Sequence, residues 1–130
     1  MSPSDGSMSA HRVALVEDDT RTRQVMVTLL EEEGWAVEAF DCAERALPRL
    51  VVGKFDALIT DHILPGMKGL DLVLEVRAVM PSTRCVIISG TTPLDEAVTR
   101  NVRWITKPIN FDTLVDELSG RAPAIAPRRF

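Results

Sequence analysis

Phe55-Asp56-Ala57-Leu58-Ile59-Thr60-Asp61 runs directly into His62-Ile63-Leu64-Pro65-Gly66-Met67-Lys68-Gly69-Leu70. An apolar run of strand length ends on a lone carboxylate, and a Pro-Gly turn follows at once. In an open parallel sheet, a residue so placed lies at the carboxyl edge of a buried strand, where such sheets bind their ligands. Three other apolar runs end on polar groups. Val13-Ala14-Leu15-Val16 leads to Glu17-Asp18-Asp19, Cys85-Val86-Ile87-Ile88 leads to Ser89-Gly90, and Val102 to Thr106 leads to Lys107-Pro108. The strand ends therefore offer the carboxylates of Asp18, Asp19 and Asp61, the ammonium of Lys107 and the hydroxyl of Ser89 to a single site. Taken singly, each is ordinary, because an Asp after a strand is commonly a turn residue or helix cap. The weight lies in their combination.

Between these runs the apolar spacing changes to that of helices. Thr20 is placed to cap a helix carrying Thr22, Val25, Met26, Leu29 and Leu30 and stopping at Gly34. Trp35 to Phe40 reads as a strand. Asp41 with Glu44 resembles a capping box for a second helix with Ala43, Ala46, Leu47, Leu50 and Val51 on its apolar face. Pro48 falls inside that helix and is expected to kink or shorten it. A third helix is expected from about Gly69 to Val79, and a last one, capped by Asn110, buries Leu114, Val115 and Leu118. Strands alternating with helices predict an α/β, doubly wound parallel sheet.

The 130 residues suffice for one domain with a core, and 45% hydrophobic with 26% charged residues is an ordinary globular composition. A net charge of −4 gives no basic footprint, so no nucleic-acid partner is expected. No apolar run approaches the ~20 residues that span a bilayer, so no membrane association is expected either. Cys42 and Cys85 fit no metal spacing and read as reduced thiols of a cytoplasmic protein. Residues 1–10 and 121–130 have little to bury and are expected to be flexible, leaving a domain over 11–120.

From about His11 to Gly120 the sequence resembles a bacterial response-regulator receiver domain. The resemblance rests on Val16-Glu17-Asp18-Asp19, Asp61 with Leu64-Pro65-Gly66-Met67-Lys68-Gly69-Leu70 behind it, Ser89-Gly90, and Lys107-Pro108. It implies a flavodoxin-like, five-stranded sheet in the order 2-1-3-4-5, which sets the ends of strands one and three side by side. It implies Asp61 as phosphoacceptor and Mg²⁺ as cofactor. Asp19 and Asp61 would bind the ion directly, Asp18 through water, and Ile63 through its backbone carbonyl. Ser89, Gly90 and Lys107 would contact the phosphoryl group, Ser89 and Trp104 would form the switch, and the bond before Pro108 is a candidate cis peptide. His62 would point away from the site, since neighbouring strand residues face opposite sides.

A receiver without an output domain would take its phosphoryl group from a histidine kinase or histidine phosphotransfer protein and act on a downstream protein, without being an enzyme. A pseudo-receiver that only binds a partner, and a receiver cut from a longer regulator or hybrid kinase, are the alternatives. A Mg²⁺-dependent phosphatase generally needs a second carboxylate two residues after its nucleophile, where this chain has Ile63. The family pattern is short between Ser89 and Lys107, where Gly90 to Arg103 leaves room for about two turns from Pro93 to Arg100, or for an irregular, mobile loop.

Overall fold

The computed structural model describes residues 11–119. The expected flexible ends, and Gly120, lie outside that range. The described chain alternates β1 (Arg12–Val16), α1 (Thr20–Glu32), β2 (Ala36–Phe40), α2 (Ala43–Val52), β3 (Ala57–Asp61), α3 (Gly69–Val79), β4 (Arg84–Ser89), α4 (Asp95–Thr99), β5 (Arg103–Thr106) and α5 (Phe111–Ser119). All strand pairings are parallel, in the order β2-β1-β3-β4-β5, as expected.

Side-chain alternation divides the core into two layers, one on each face of the sheet. Ala14, Val16, Leu58, Cys85 and Ile87 face α2 and α3, where they meet Ala46, Leu50, Leu72, Val73 and Val76. Val13, Leu15, Ala57, Ile59, Val86 and Ile88 face Met26 and Leu30 of α1 and Leu114 and Leu118 of α5. Burying one such leucine contributes about 1.5–3 kcal/mol. Every residue of β3 is buried, so the central strand is fixed from both sides and Asp61 has a rigid base. Where β3 ends, Asp61 lies beside Ile88 of β4, while Val16 of β1 lies beside Thr60.

The amino edge of the sheet is tied together by polar contacts. The Arg12 amide donates to the Asp56 carboxylate at 2.7 Å, and its guanidinium donates to the Lys54 carbonyl at 3.1 Å and lies 4.3 Å over the Phe55 ring. Glu38 accepts from Arg49 of α2 at 2.6 Å and pairs with Arg12 at 3.4 Å. The Asp56 carbonyl accepts from the Arg84 amide, and Thr83 donates its hydroxyl to the Phe55 carbonyl.

Two local expectations need correction. The helix α2 runs through Pro48 as far as Val52, because Ala43, Ala46 and Leu50 on its inner face are fully buried. Its capping box does not form. Cys42 is the cap residue and makes no side-chain cap bond, while Asp41 pairs with Arg45 and Glu44 reaches out of the helix. The shortened segment does make a helix, the five-residue α4, with only Ala97 buried. Its far end is held from α3 by the Arg77 guanidinium, which donates to the carbonyls of Arg100 at 2.6 Å and Asn101 at 3.2 Å.

Candidate functional site

Glu17, Asp18 and Asp61 bring one carboxylate oxygen each to within 4.8 Å of one another at the carboxyl ends of β1 and β3. Glu17 is buried, and its carboxylate accepts from the Asp19 amide at 3.0 Å. Burial is the main force pushing the Glu17 carboxyl up to about 7; the Asp19 amide opposes it and the Asp61 carboxylate adds to it. Asp18 stays exposed at the rim. Asp61 is 8% exposed and is met from the other side by Lys107, whose Nζ stands 3.1 Å from Oδ1.

Asp19 is not brought into this group. Its backbone is extended, with φ −79° and ψ 117°, and its carboxylate caps α1, accepting from the Thr22 amide at 2.8 Å and the Thr22 hydroxyl at 2.6 Å. The Thr22 hydroxyl, then its amide, hold the Asp19 carboxyl below the usual range. Glu17, and not Asp19, thus stands with Asp18 beside Asp61. Glu17 was legible only through the cap. An Asp three residues before a Thr at a helix start is an N-cap signal, and assigning Asp19 to it leaves Glu17 and Asp18 for the site.

The remaining candidates lie along the same edge. Ser89 ends β4 and is almost wholly buried; its hydroxyl shares a 3.0 Å hydrogen bond with the Thr91 hydroxyl and accepts from the Thr91 amide at 3.2 Å. Gly90 has open space where a side chain would be. The Lys107 amide donates to the Ser89 carbonyl at 2.8 Å, and the Lys107–Pro108 peptide is cis. Trp104 is half-buried and donates its indole N–H to the Thr91 carbonyl at 3.0 Å. Its ring tilts against His62 with centroids 5.2 Å apart. His62 is turned inward, away from the carboxylates, and its Nδ1 accepts from the Leu70 amide at 3.3 Å. Burial holds this imidazole below its ordinary pKa.

The loop from His62 to Lys68 is closely fitted to the site. Gly69 lies so near the Asp61 carbonyl that a Cβ there would collide with it, and its amide donates to the His62 carbonyl at 2.9 Å. Lys68 turns back on the loop, donating from Nζ to the Leu64 carbonyl at 2.8 Å. Ile63 stands on this loop and is 59% exposed.

Three carboxylates around one point are all hard oxygen donors, and the Lys107 ammonium pairs with one of them. Such a set fits a small divalent ion that keeps much of its water and takes a few carboxylates. The fold, the acidic cluster and the opposed lysine agree with a match of residues 13–119 to the family model of the response regulator receiver domain. The chain is a receiver domain.

The receiver is 31% identical over 111 residues to the response regulator receiver protein CpdR of Brucella abortus, covering 82% of this chain and 92% of that protein. It is 30% identical over 108 residues to the cell cycle transcriptional regulator CtrA of Caulobacter vibrioides, covering 80% of this chain but 47% of CtrA. It thus spans nearly all of one relative and about half of the other. In structure it is similar to the response regulator TrrA of Thermotoga maritima, solved in complex with Mg²⁺ and BeF, with a TM-score of 0.76 at 23% identity over 85% of this chain and 98% of that one. The receiver is thus homologous to the response regulators of two-component systems. No helix among its described residues is long and apolar enough to cross a membrane.

Proposed function

We propose that this receiver takes a phosphoryl group onto Asp61 from the phosphohistidine of a histidine kinase or histidine phosphotransfer protein, and passes the signal to a downstream protein in the cytoplasm. The observation that carries the reading is the convergence on Asp61 of two further carboxylates, within 4.8 Å, and one ammonium at 3.1 Å. A purely structural ion pair has no use for the extra negative charge of Glu17 and Asp18. Charge gathered around a nucleophile is what phosphoryl transfer requires, because its transition state is loose and anionic and depends on positioning and neutralisation.

In the transfer, an Asp61 oxygen attacks phosphorus as the P–N bond to the donor imidazole breaks, and the bonding pair leaves with that nitrogen. Asp61 is held for attack by the buried end of β3, with Gly69 packed against its carbonyl. Lys107 gives up the Asp61 oxygen and follows the charge onto the transferred group. Ser89 is placed to donate its hydroxyl to a phosphoryl oxygen, and the open space at Gly90 lets that group sit close to the backbone. Glu17, Asp18, Asp61 and the Ile63 carbonyl would hold Mg²⁺. When bound, the ion neutralises charge on the transferring group. Beyond its own phosphorylation and its reversal, the domain turns over no substrate.

The test is intact-protein mass spectrometry after incubation with acetyl phosphate and Mg²⁺. The wild type gains one phosphoryl mass and Asp61→Asn gains none. Asp18→Asn loses Mg²⁺ dependence, whereas Asp19→Asn stays phosphorylatable and, since Asn caps nearly as well, loses little stability. Phosphorylation of Asp61→Asn, or a block by Asp19→Asn with Asp18→Asn active, would overturn the assignment.

A further inference from the structure

The carboxylate of Glu44, on the first turn of α2, reaches beyond its own helix end. It crosses to the loop after β3 and accepts from the Met67 amide at 2.7 Å. That bond is the largest of the influences that hold the Glu44 carboxyl below the usual range. The loop is shaped to receive it. Gly66 has a left-handed φ of 77°, which favours glycine, and a Cβ there would push the Glu44 carboxylate off the Met67 amide.

The neighbouring anchors of this loop are internal. Gly69 bonds to His62, Leu70 to the His62 ring, and Lys68 to Leu64. They fix the two ends of the loop to each other, while Leu64 is buried in the core and Met67 packs partly against it. The Glu44 carboxylate adds a polar tie to the tip from a different helix. Ile63 lies between the Asp61 end and this tip, so the hold on the tip bears on the direction of its carbonyl.

We infer that Glu44 is a positioning residue for the acidic site: by pinning Met67 it sets the Ile63 carbonyl against Asp61 and so raises the affinity of the site for a divalent cation. The inference rests on the proposed metal site and goes beyond it, because it makes cation binding depend on a residue of α2 that touches none of the ligands. Outer partners that orient ligands commonly alter metal affinity by about 10–100-fold. Glu44, being exposed and acting through one backbone bond, belongs at the lower end, about tenfold.

The experiment compares wild type, Glu44→Ala and Glu44→Gln, since the glutamine oxygen can still accept from Met67. Amide exchange at Met67 is read without metal, Mg²⁺ affinity is read by tryptophan fluorescence, and thermal midpoints are recorded alongside. In Glu44→Ala the Met67 amide exchanges faster and Mg²⁺ binds about tenfold more weakly. Its acetyl-phosphate reaction recovers at saturating Mg²⁺, and Glu44→Gln returns most of the affinity. A lowered midpoint with unchanged Mg²⁺ affinity would show a structural brace only and overturn the inference, as would a Glu44→Gln protein as weak as Glu44→Ala. A wild type indifferent to Mg²⁺ would overturn the metal reading and this inference together, and the metal-free exchange at Met67 distinguishes that result from a missing brace.

Discussion

Replacing Arg77 by Met keeps the apolar stem of the side chain and removes the guanidinium that α3 extends to the end of α4. Two hydrogen bonds are lost, to the Arg100 carbonyl at 2.6 Å and the Asn101 carbonyl at 3.2 Å. Both acceptors are exposed and regain water, so the pair contributes at the modest end for charged donors, about 1–2 kcal/mol together. The global fold hardly registers this, because α4 buries only Ala97. What changes is the cost of opening α4 alone, since a segment with few buried contacts opens independently of the core. A loss of 1–2 kcal/mol multiplies the open population by about 5–30. Native-state amide exchange reads that factor at Arg100, Asn101 and Val102, whose amides donate to Glu96, Val98 and Ala97. The same measurement at Ile59 and Val86 of the central strands should show no change. Equal rates in both proteins at the α4 amides would refute the clamp. A uniform acceleration that includes the central strands would refute the idea that α4 opens on its own.

Two further outcomes follow from titratable groups. Arg49, then Arg12, hold the Glu38 carboxyl below its ordinary value near 4.5, so the stability it contributes is complete above that value and is lost as pH falls through the lower folded value; urea denaturation between neutral and acid pH should show this loss, and Arg49→Met should flatten it. Burial pushes the Cys85 thiol up to about 11, so at pH 8 only about a thousandth of it is thiolate. A disulfide reagent should then modify the half-buried Cys42 readily and reach Cys85 only when denaturant is added, and equal rates for the two in the folded protein would contradict that burial.

Most of the fold could be read from periodicity. Each strand run was apolar enough to declare itself, and Gly69 to Val79 needed only its following Pro81 to be bounded. What misled was capping, where one residue decides which side chains are free. Thr20 was expected to cap α1, but Asp19 does so, and Glu17 is the residue that stands with Asp18 and Asp61. In the same way Glu44 looked like part of a capping box, since S/T/D-x-x-E is a local pattern. Its true partner, Met67, lies 23 residues away, and no local pattern reports that. Pro48 is the converse case. A local rule predicted a kink or a shorter helix, and α2 nonetheless runs on to Val52 with Ala46 and Leu50 buried. His62 and Lys107 were legible because strand alternation and strand ends are geometric facts of a sheet.

The two rims of the sheet have separate occupations. Around Asp61 the carboxylates crowd one another, while at the far rim the Arg12 amide bonds the Asp56 carboxylate and the Thr83 hydroxyl bonds the Phe55 carbonyl. The five residues of β3 separate them, which at ~3.3 Å per residue leaves about 16 Å, beyond the range at which substitutions usually couple. Substitutions at Arg12 or Asp56 are therefore expected to leave the chemistry around Asp61 largely unaffected, and that rim is where a sturdier variant would be sought.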